Sequence, residues 1–172
     1  NPGEAPTEMM AVRVEDPDKE EGSKIMFFSR GKNGVFHSIS RAPTFEAKEP
    51  FVAMQDPSYA KIGNDNVLAM VEVYRQSDKS LGYHTVFYRD HGLGLSHLER
   101  FAEGPDNQKD IRLVEVKPGK IVVFTRPQGG EFGPGKIGVT EIKSLDELNS
   151  QVISKAPVLK GLFAEKEWGG VN

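Results

Sequence analysis

The sequence predicts an all-β protein built from antiparallel hairpins in series, and three observations carry that reading. Eighteen glycines and 11 prolines are spread along the 172 residues, where they punctuate short apolar runs rich in β-branched and aromatic side chains. Only one stretch, 144–156, repeats its apolar residues at a helical period. No helical segments alternate with the strands, so a parallel βαβ sheet is excluded.

Strands are expected at 9–14, 24–29 and 34–38, the last pair joined through Gly31-Lys32-Asn33-Gly34, which tolerates the positive φ of a tight turn. The next pair, 59–62 and 67–74, flanks Gly63-Asn64-Asp65-Asn66. A strand at 84–89 follows, then 113–116 and 120–125 around Lys117-Pro118-Gly119, and finally 136–142. For the helix, Ser144 is the expected N-cap with Glu147 three residues on, and Leu145, Leu148, Val152 and Ile153 form the apolar face. Strand spacing of about 8 to 15 residues suits a sandwich, a barrel or a propeller. At about 40 to 50 residues per blade, a propeller reading gives three to four blades. The chain starts at Asn1 without a Met and stops on Glu167-Trp168-Gly169-Gly170-Val171-Asn172, so the expectation is a single partial domain over 1–172 that continues further.

Composition narrows the function. With 22 Lys plus Arg against 25 Asp plus Glu, the net charge is −3, so no basic excess draws the chain onto nucleic acid or anionic lipid. There is no cysteine, which removes thiol redox chemistry, thiolate metal sites and a cysteine nucleophile and suits a reducing compartment. No apolar run reaches the roughly 18 to 20 residues of a spanning helix, and a cytoplasmic location is expected.

Several motifs fail on chemistry. Gly130-Glu131-Phe132-Gly133-Pro134-Gly135-Lys136 has the spacing of a nucleotide-binding loop, but Ile137 stands where Ser or Thr must hold magnesium and a strand follows instead of a helix. His37, His84, His91 and His97 include no pair at helical metal spacing. Ser96 lacks the glycine of a nucleophile elbow two residues on. More informative are carboxylates beside turn formers: Glu15 after Arg13 at a strand end, Asp56 before Pro57, and Lys109-Asp110-Ile111-Arg112. Pro57 biases Asp56 toward extended backbone on a rigid loop, which suits a general acid, or simply opens a turn. Arg112 and Arg126 are either bidentate anion clamps or surface ion pairs. Trp168, Phe132, Tyr59 and Tyr83 are either platforms for sugar rings or core.

In order along the chain, Asp56-Pro57-Ser58-Tyr59-Ala60-Lys61-Ile62, Val71-Glu72-Val73-Tyr74, Thr85-Val86-Phe87-Tyr88-Arg89, Lys109-Asp110-Ile111-Arg112-Leu113-Val114-Glu115, Phe124-Thr125-Arg126-Pro127-Gln128-Gly129, Gly135-Lys136-Ile137-Gly138 and Glu167-Trp168-Gly169-Gly170 resemble the mannosyltransferase/phosphorylase family. That family was long catalogued as a domain of unknown function and is related to the β-mannoside phosphorylases of glycoside hydrolase family 130. The resemblance implies a five-bladed β-propeller, of which this chain is about three blades, and an inverting enzyme. Such an enzyme moves mannose between mannose 1-phosphate or GDP-mannose and β-1,2-oligomannosides, with no metal or other cofactor. It further implies Asp56 as general acid, with Glu49 the alternative through a competing Glu-Pro-Phe match. Arg13, Glu15, Asp110 and Trp168 would contact sugar, and Arg112, Arg126 and Lys136 would bind inorganic phosphate or the diphosphate of GDP-mannose. The alternative function is a non-catalytic carbohydrate-binding propeller.

Overall fold

The computed structural model describes residues 8–39, 45, 51–164 and 167–171. Among the described residues, ten strands form three antiparallel sheets, and none of these closes on itself. The first sheet contains β1 (Met9–Asp16), β2 (Lys19–Arg30) and β3 (Phe36–Ser38) in that order. The second runs β4 (Phe51–Ile62), β5 (Asp65–Arg75), β6 (Leu81–Arg89) and β7 (Glu99–Glu103). In the third, β8 (Arg112–Lys117), β9 (Lys120–Thr125) and β10 (Gly138–Ile142) lie side by side. Each sheet is therefore a meander with its first strand at one edge. Those edge strands are neighbours in space, since β4 touches both β1 and β8.

The middle sheet has both faces covered, which is why β5 reads as a continuous apolar run instead of an alternating one. Val67 and Ala69 of β5 join Phe87, Ile111, Leu113, Ile121 and Val123 in a core shared with the third sheet. Leu68 and Met70, on the opposite face, pack with Ile25 and Phe27 of the first. Met70, Val86 and Phe87 are completely enclosed.

Glu72 interrupts that run and is itself buried. Its carboxylate accepts two hydrogen bonds from Arg100 at 2.8 and 2.9 Å and one from the Tyr88 hydroxyl at 3.2 Å, with the His84 imidazole at 3.3 Å. Burial alone pushes the Glu72 carboxyl up, but the His84 contact and the Arg100 guanidinium outweigh it and hold the group below its ordinary 4.5. The same surroundings push the Tyr88 phenol up, chiefly through burial.

Three local readings need correction. A fourth strand, β7, completes the middle sheet; three of its five residues are charged, which is how an exposed edge is protected and why no apolar pattern announces it. The expected helix over 144–156 is instead a 3-10 turn at Leu145–Glu147 and a single α-helical turn, α1 (Ser150–Ser154). Leu148 is extended between them, and Asn149 caps α1 by accepting from the Val152 amide at 3.0 Å. Leu145, Leu148 and Ile153 still reach the core, so the apolar spacing is satisfied without a continuous helix. Finally, Asp56 lies inside β4, not in a loop before a strand. The β4–β5 register shifts between Gln55 and Ser58 and Asp56 has a φ of +49°. Pro57 cannot donate to the ladder, so the strand bulges there, and the bulge overrides the extended preference of a residue before proline. No helix among the described residues is long and apolar enough to cross a membrane.

Two outcomes follow from this packing. Met70→Ala lowers the unfolding free energy by about 3 kcal/mol in urea titration, whereas Val116→Ala, on an exposed face of β8, changes it by less than about 0.5 kcal/mol. Because the folded Glu72 value is depressed, its contribution is complete above pH 4.5 and is lost as pH falls through the folded value. Stability measured from pH 7 to pH 3 should therefore drop more steeply in the native protein than in Glu72→Gln, which is weaker by about 3 kcal/mol at pH 7 because Arg100 loses its buried partner, the gap narrowing as pH falls.

Candidate active site

The neighbouring edge strands bring together residues far apart in sequence. Arg13 lies on β1 and Asp56 on the bulge of β4, while Lys109, Asp110 and Arg112 lead into β8. The segment before β8 is pinned along β6: Gly104 donates to the Thr85 carbonyl at 2.7 Å, Asn107 to the Tyr83 carbonyl at 2.7 Å, and Gln108 bridges to His84. That pinning aims Lys109 at β4.

The result is a ladder of alternating charges. Glu15 pairs with Arg13, and an Arg13 guanidinium nitrogen is 3.5 Å from one Asp56 oxygen. The Lys109 ammonium is 3.5 Å from the other Asp56 oxygen. Asp110 in turn bonds Arg126 and lies 3.8 Å from Arg112. Both Asp56 and Asp110 occupy left-handed backbone, at φ +49° and +58°. Each such residue costs about 1 to 3 kcal/mol and persists only where surrounding structure imposes it.

Arg126 is nearly buried at the end of β9. Besides Asp110 it donates to the Pro134 carbonyl at 3.1 Å, while its buried Nε makes no hydrogen bond. Its guanidinium lies 4.8 Å from the centre of the Trp168 ring, a cation–π contact that leaves the other side of a half-exposed indole open. Two glycines make room: a Cβ on Gly135 would come within 2.5 Å of Arg126 Nε, and one on Gly170 would lie 3.2 Å from its Cδ. Lys136 is placed differently. Its ammonium donates to the Glu167 carbonyl at 2.7 Å and lies over Phe163, so it fastens the segment that carries Trp168.

The structure thus gathers Arg13, Glu15, Asp56, Asp110, Arg112, Arg126 and Trp168, with Lys136 as an anchor behind them. Glu49 lies outside the described residues. Of the other aromatic candidates, Tyr83 donates to Gln128 at 3.2 Å, Tyr59 bonds Asn66 on the β4–β5 hairpin, and Phe132 belongs to the 3-10 turn Gly130–Phe132. The residue that sequence reasoning left without a role is Lys109, because nothing local shows that β8 starts beside β4. Among the described residues no three His, Asp or Glu side chains converge to hold a metal.

The model of a family described as protein of unknown function, DUF1861, matches residues 4–172. The chain belongs to the DUF1861 family. Among solved structures, this DUF1861 chain resembles a mannose phosphorylase from Leishmania mexicana, MPT-4, in complex with phosphate ion, at 33% identity and a TM-score of 0.76. It also resembles a GDP-Man-dependent mannosyltransferase from the same organism, MPT-1, at 30% identity and 0.74, and a hypothetical protein from Leishmania major at 30% and 0.70. Each match covers 95% of this chain but only 47 or 48% of the other, so the chain spans about half the length of these structures. No curated protein matches it.

Gly135→Ala tests the Arg126 arrangement. At φ +144° with Arg126 Nε in the way, the variant should lose about 2 kcal/mol of stability. It should also shift the emission of Trp168, the only tryptophan, as Arg126→Ala does; unchanged emission in both would mean that the two groups do not touch.

Proposed function

We propose that the protein transfers mannose between mannose 1-phosphate or GDP-mannose and β-1,2-linked oligomannosides, with inversion, as a phosphorylase or mannosyltransferase. The observation that supports this is Asp56, held between Arg13 and Lys109 next to a cluster with two arginines, while the neighbouring carboxylates Glu15 and Asp110 are each paired with an arginine. The likeness to a mannose phosphorylase solved with phosphate and to a GDP-Man-dependent mannosyltransferase points the same way.

The chemistry suits that inventory. An inverting hydrolase needs a second carboxylate to deprotonate water, whereas phosphate arrives as an anion and needs none. In phosphorolysis a phosphate oxygen attacks the anomeric carbon, the glycosidic C–O bond breaks, and the departing oxygen takes its proton from Asp56. Arg112 and Arg126 supply the forked donors that fit phosphate. Arg13 and Glu15 hold hydroxyls of the sugar beside Asp56, Trp168 offers its open face to a sugar ring, and Asp110 orients the arginines as well as reaching a hydroxyl. In this reading the three sheets are blades of a five-bladed propeller, stacked about an axis lined by β1, β4 and β8, and the domain extends past this chain.

Asp56→Asn in the protein carrying all its blades should cut formation of mannose 1-phosphate from β-1,2-mannobiose and phosphate by roughly 10²- to 10⁴-fold without loss of fold. Arg126→Ala should raise the KM for phosphate more than it lowers kcat. Turnover unchanged in Asp56→Asn removes it as the acid, and mannoside binding with no product from either donor turns the reading to a sugar-binding module.

A further inference from the structure

Three contacts hold the Arg126 guanidinium, and the least constrained of them is a backbone carbonyl. Asp110 takes Nη1, the Trp168 ring covers one face, and the Pro134 carbonyl accepts from Nη2 at 3.1 Å. Pro134 lies between Gly133 at φ +55° and Gly135 at φ +144°, residues that change backbone conformation at little cost. A Cβ added at Gly129, Gly130 or Gly133 would meet nothing within 4 Å, so the loop stands clear of its surroundings. Gly129 donates to the Gly133 carbonyl at 2.8 Å and Phe132 to the Gly129 carbonyl at 2.9 Å, bonds that tie the loop only to itself. Lys136 closes its base on the Pro127 carbonyl at 3.1 Å, and Gly169 reaches the Gly135 carbonyl at 3.3 Å.

Among the described residues, one other side chain bonds the Pro134 carbonyl. It is Gln128, which donates through Nε2 at 2.8 Å. A carbonyl oxygen has two lone pairs and both are used here, so it turns away only by leaving two donors unpaired. The far end of the same amide is fixed as well: Oε1 of Gln128 accepts from the Tyr83 hydroxyl at 3.2 Å, across 45 residues of sequence. These contacts admit one orientation of the amide. A carbonyl can only accept, so it faces Nε2, and Oε1 is left for a phenol that donates.

Tyr83 lies on β6, where its own backbone carbonyl accepts from Asn107 at 2.7 Å. That bond belongs to the pinning of the segment that leads to Lys109 and Asp110. Through Asp110 and through Gln128, Arg126 of the third sheet is therefore aligned twice on the same strand of the middle sheet.

We propose that Gln128 is a positioning residue: it acts through the Pro134 carbonyl to set the direction of the Arg126 guanidinium, with Tyr83 as its anchor. Its functional consequence rests on the mannosyl-transfer reading above. An arginine fits phosphate only when its fork is aligned with two oxygens, so a guanidinium free to turn keeps its charge and loses affinity. Phosphate binding then depends on a side chain that carries no charge.

Gln128→Met, similar in length to glutamine but without its hydrogen bonds, tests this in combination with Arg126→Ala. Two quantities are read on the whole protein, the calorimetric affinity for inorganic phosphate and the emission of Trp168, with thermal unfolding confirming the fold. In the native background Gln128→Met should weaken phosphate binding about fivefold, the size of one lost hydrogen bond, and shift the emission. In the Arg126→Ala background it should change neither, because its effect passes through the arginine. Tyr83→Phe removes a single hydroxyl and should act in the same direction by a smaller factor; it decides alone if Gln128→Met does not fold. Equal effects with and without Arg126, or no effect in the folded single variants, overturn the proposal. If the native protein binds no phosphate while the emission shifts of Gln128→Met and Arg126→Ala stay coupled, Gln128 still positions Arg126 and it is the mannosyl-transfer reading that fails.

Discussion

Strand β5 has no free face, and the remaining architecture depends on that enclosure. One side of it is buried against the first sheet through Leu68 and Met70, the other against the third through Val67 and Ala69. At about 1.5 to 3 kcal/mol for each fully buried aliphatic side chain, the two interfaces hold three otherwise separate meanders in one stack. Stacking sheets face to face also sets their first strands next to one another, and so places Arg13, Asp56 and the start of β8 within reach. The site is a by-product of how the sheets are glued.

A second constraint is electrostatic. Charges that meet at this edge are arranged in alternation, so that Asp56 has a cation on each side and Asp110 two arginines. Such a chain of partners keeps long side chains in fixed positions without a large apolar surround. Two residues in left-handed backbone, Asp56 and Asp110, store strain at the centre of the arrangement, as functional sites commonly do. Away from that edge, Glu72 shows the opposite use of charge: enclosed with Arg100, Tyr88 and His84, it ties β5 to β6 and β7.

The glycines near Arg126 show how backbone choices serve side chains. Gly135 and Gly170 leave the space that its guanidinium and stem occupy, while Lys136 fixes the neighbouring segment so that Trp168 covers the guanidinium. A glycine-rich stretch with the spacing of a nucleotide loop thus works here as packing relief around an arginine.

By itself the sequence determined the all-β class, the existence of nine of the ten strands among the described residues and the tight turns, because alternation, β-branching and turn chemistry are local properties, but it placed the start of β4 eight residues late and that of β2 five. The long motifs also carried the family and its residue types. It could not show β7, whose charges mask an edge strand, or that Asn149 would break the apolar run at 144–156 into two turns, since a cap and a helix interior compete by small energies. Only the tertiary structure decided that Asp56 lies on a bulge, that Lys109 meets it, and that Tyr83 meets Gln128. Those facts depend on which strand edges become neighbours, and that is set by apolar faces burying one another across more than fifty residues of chain.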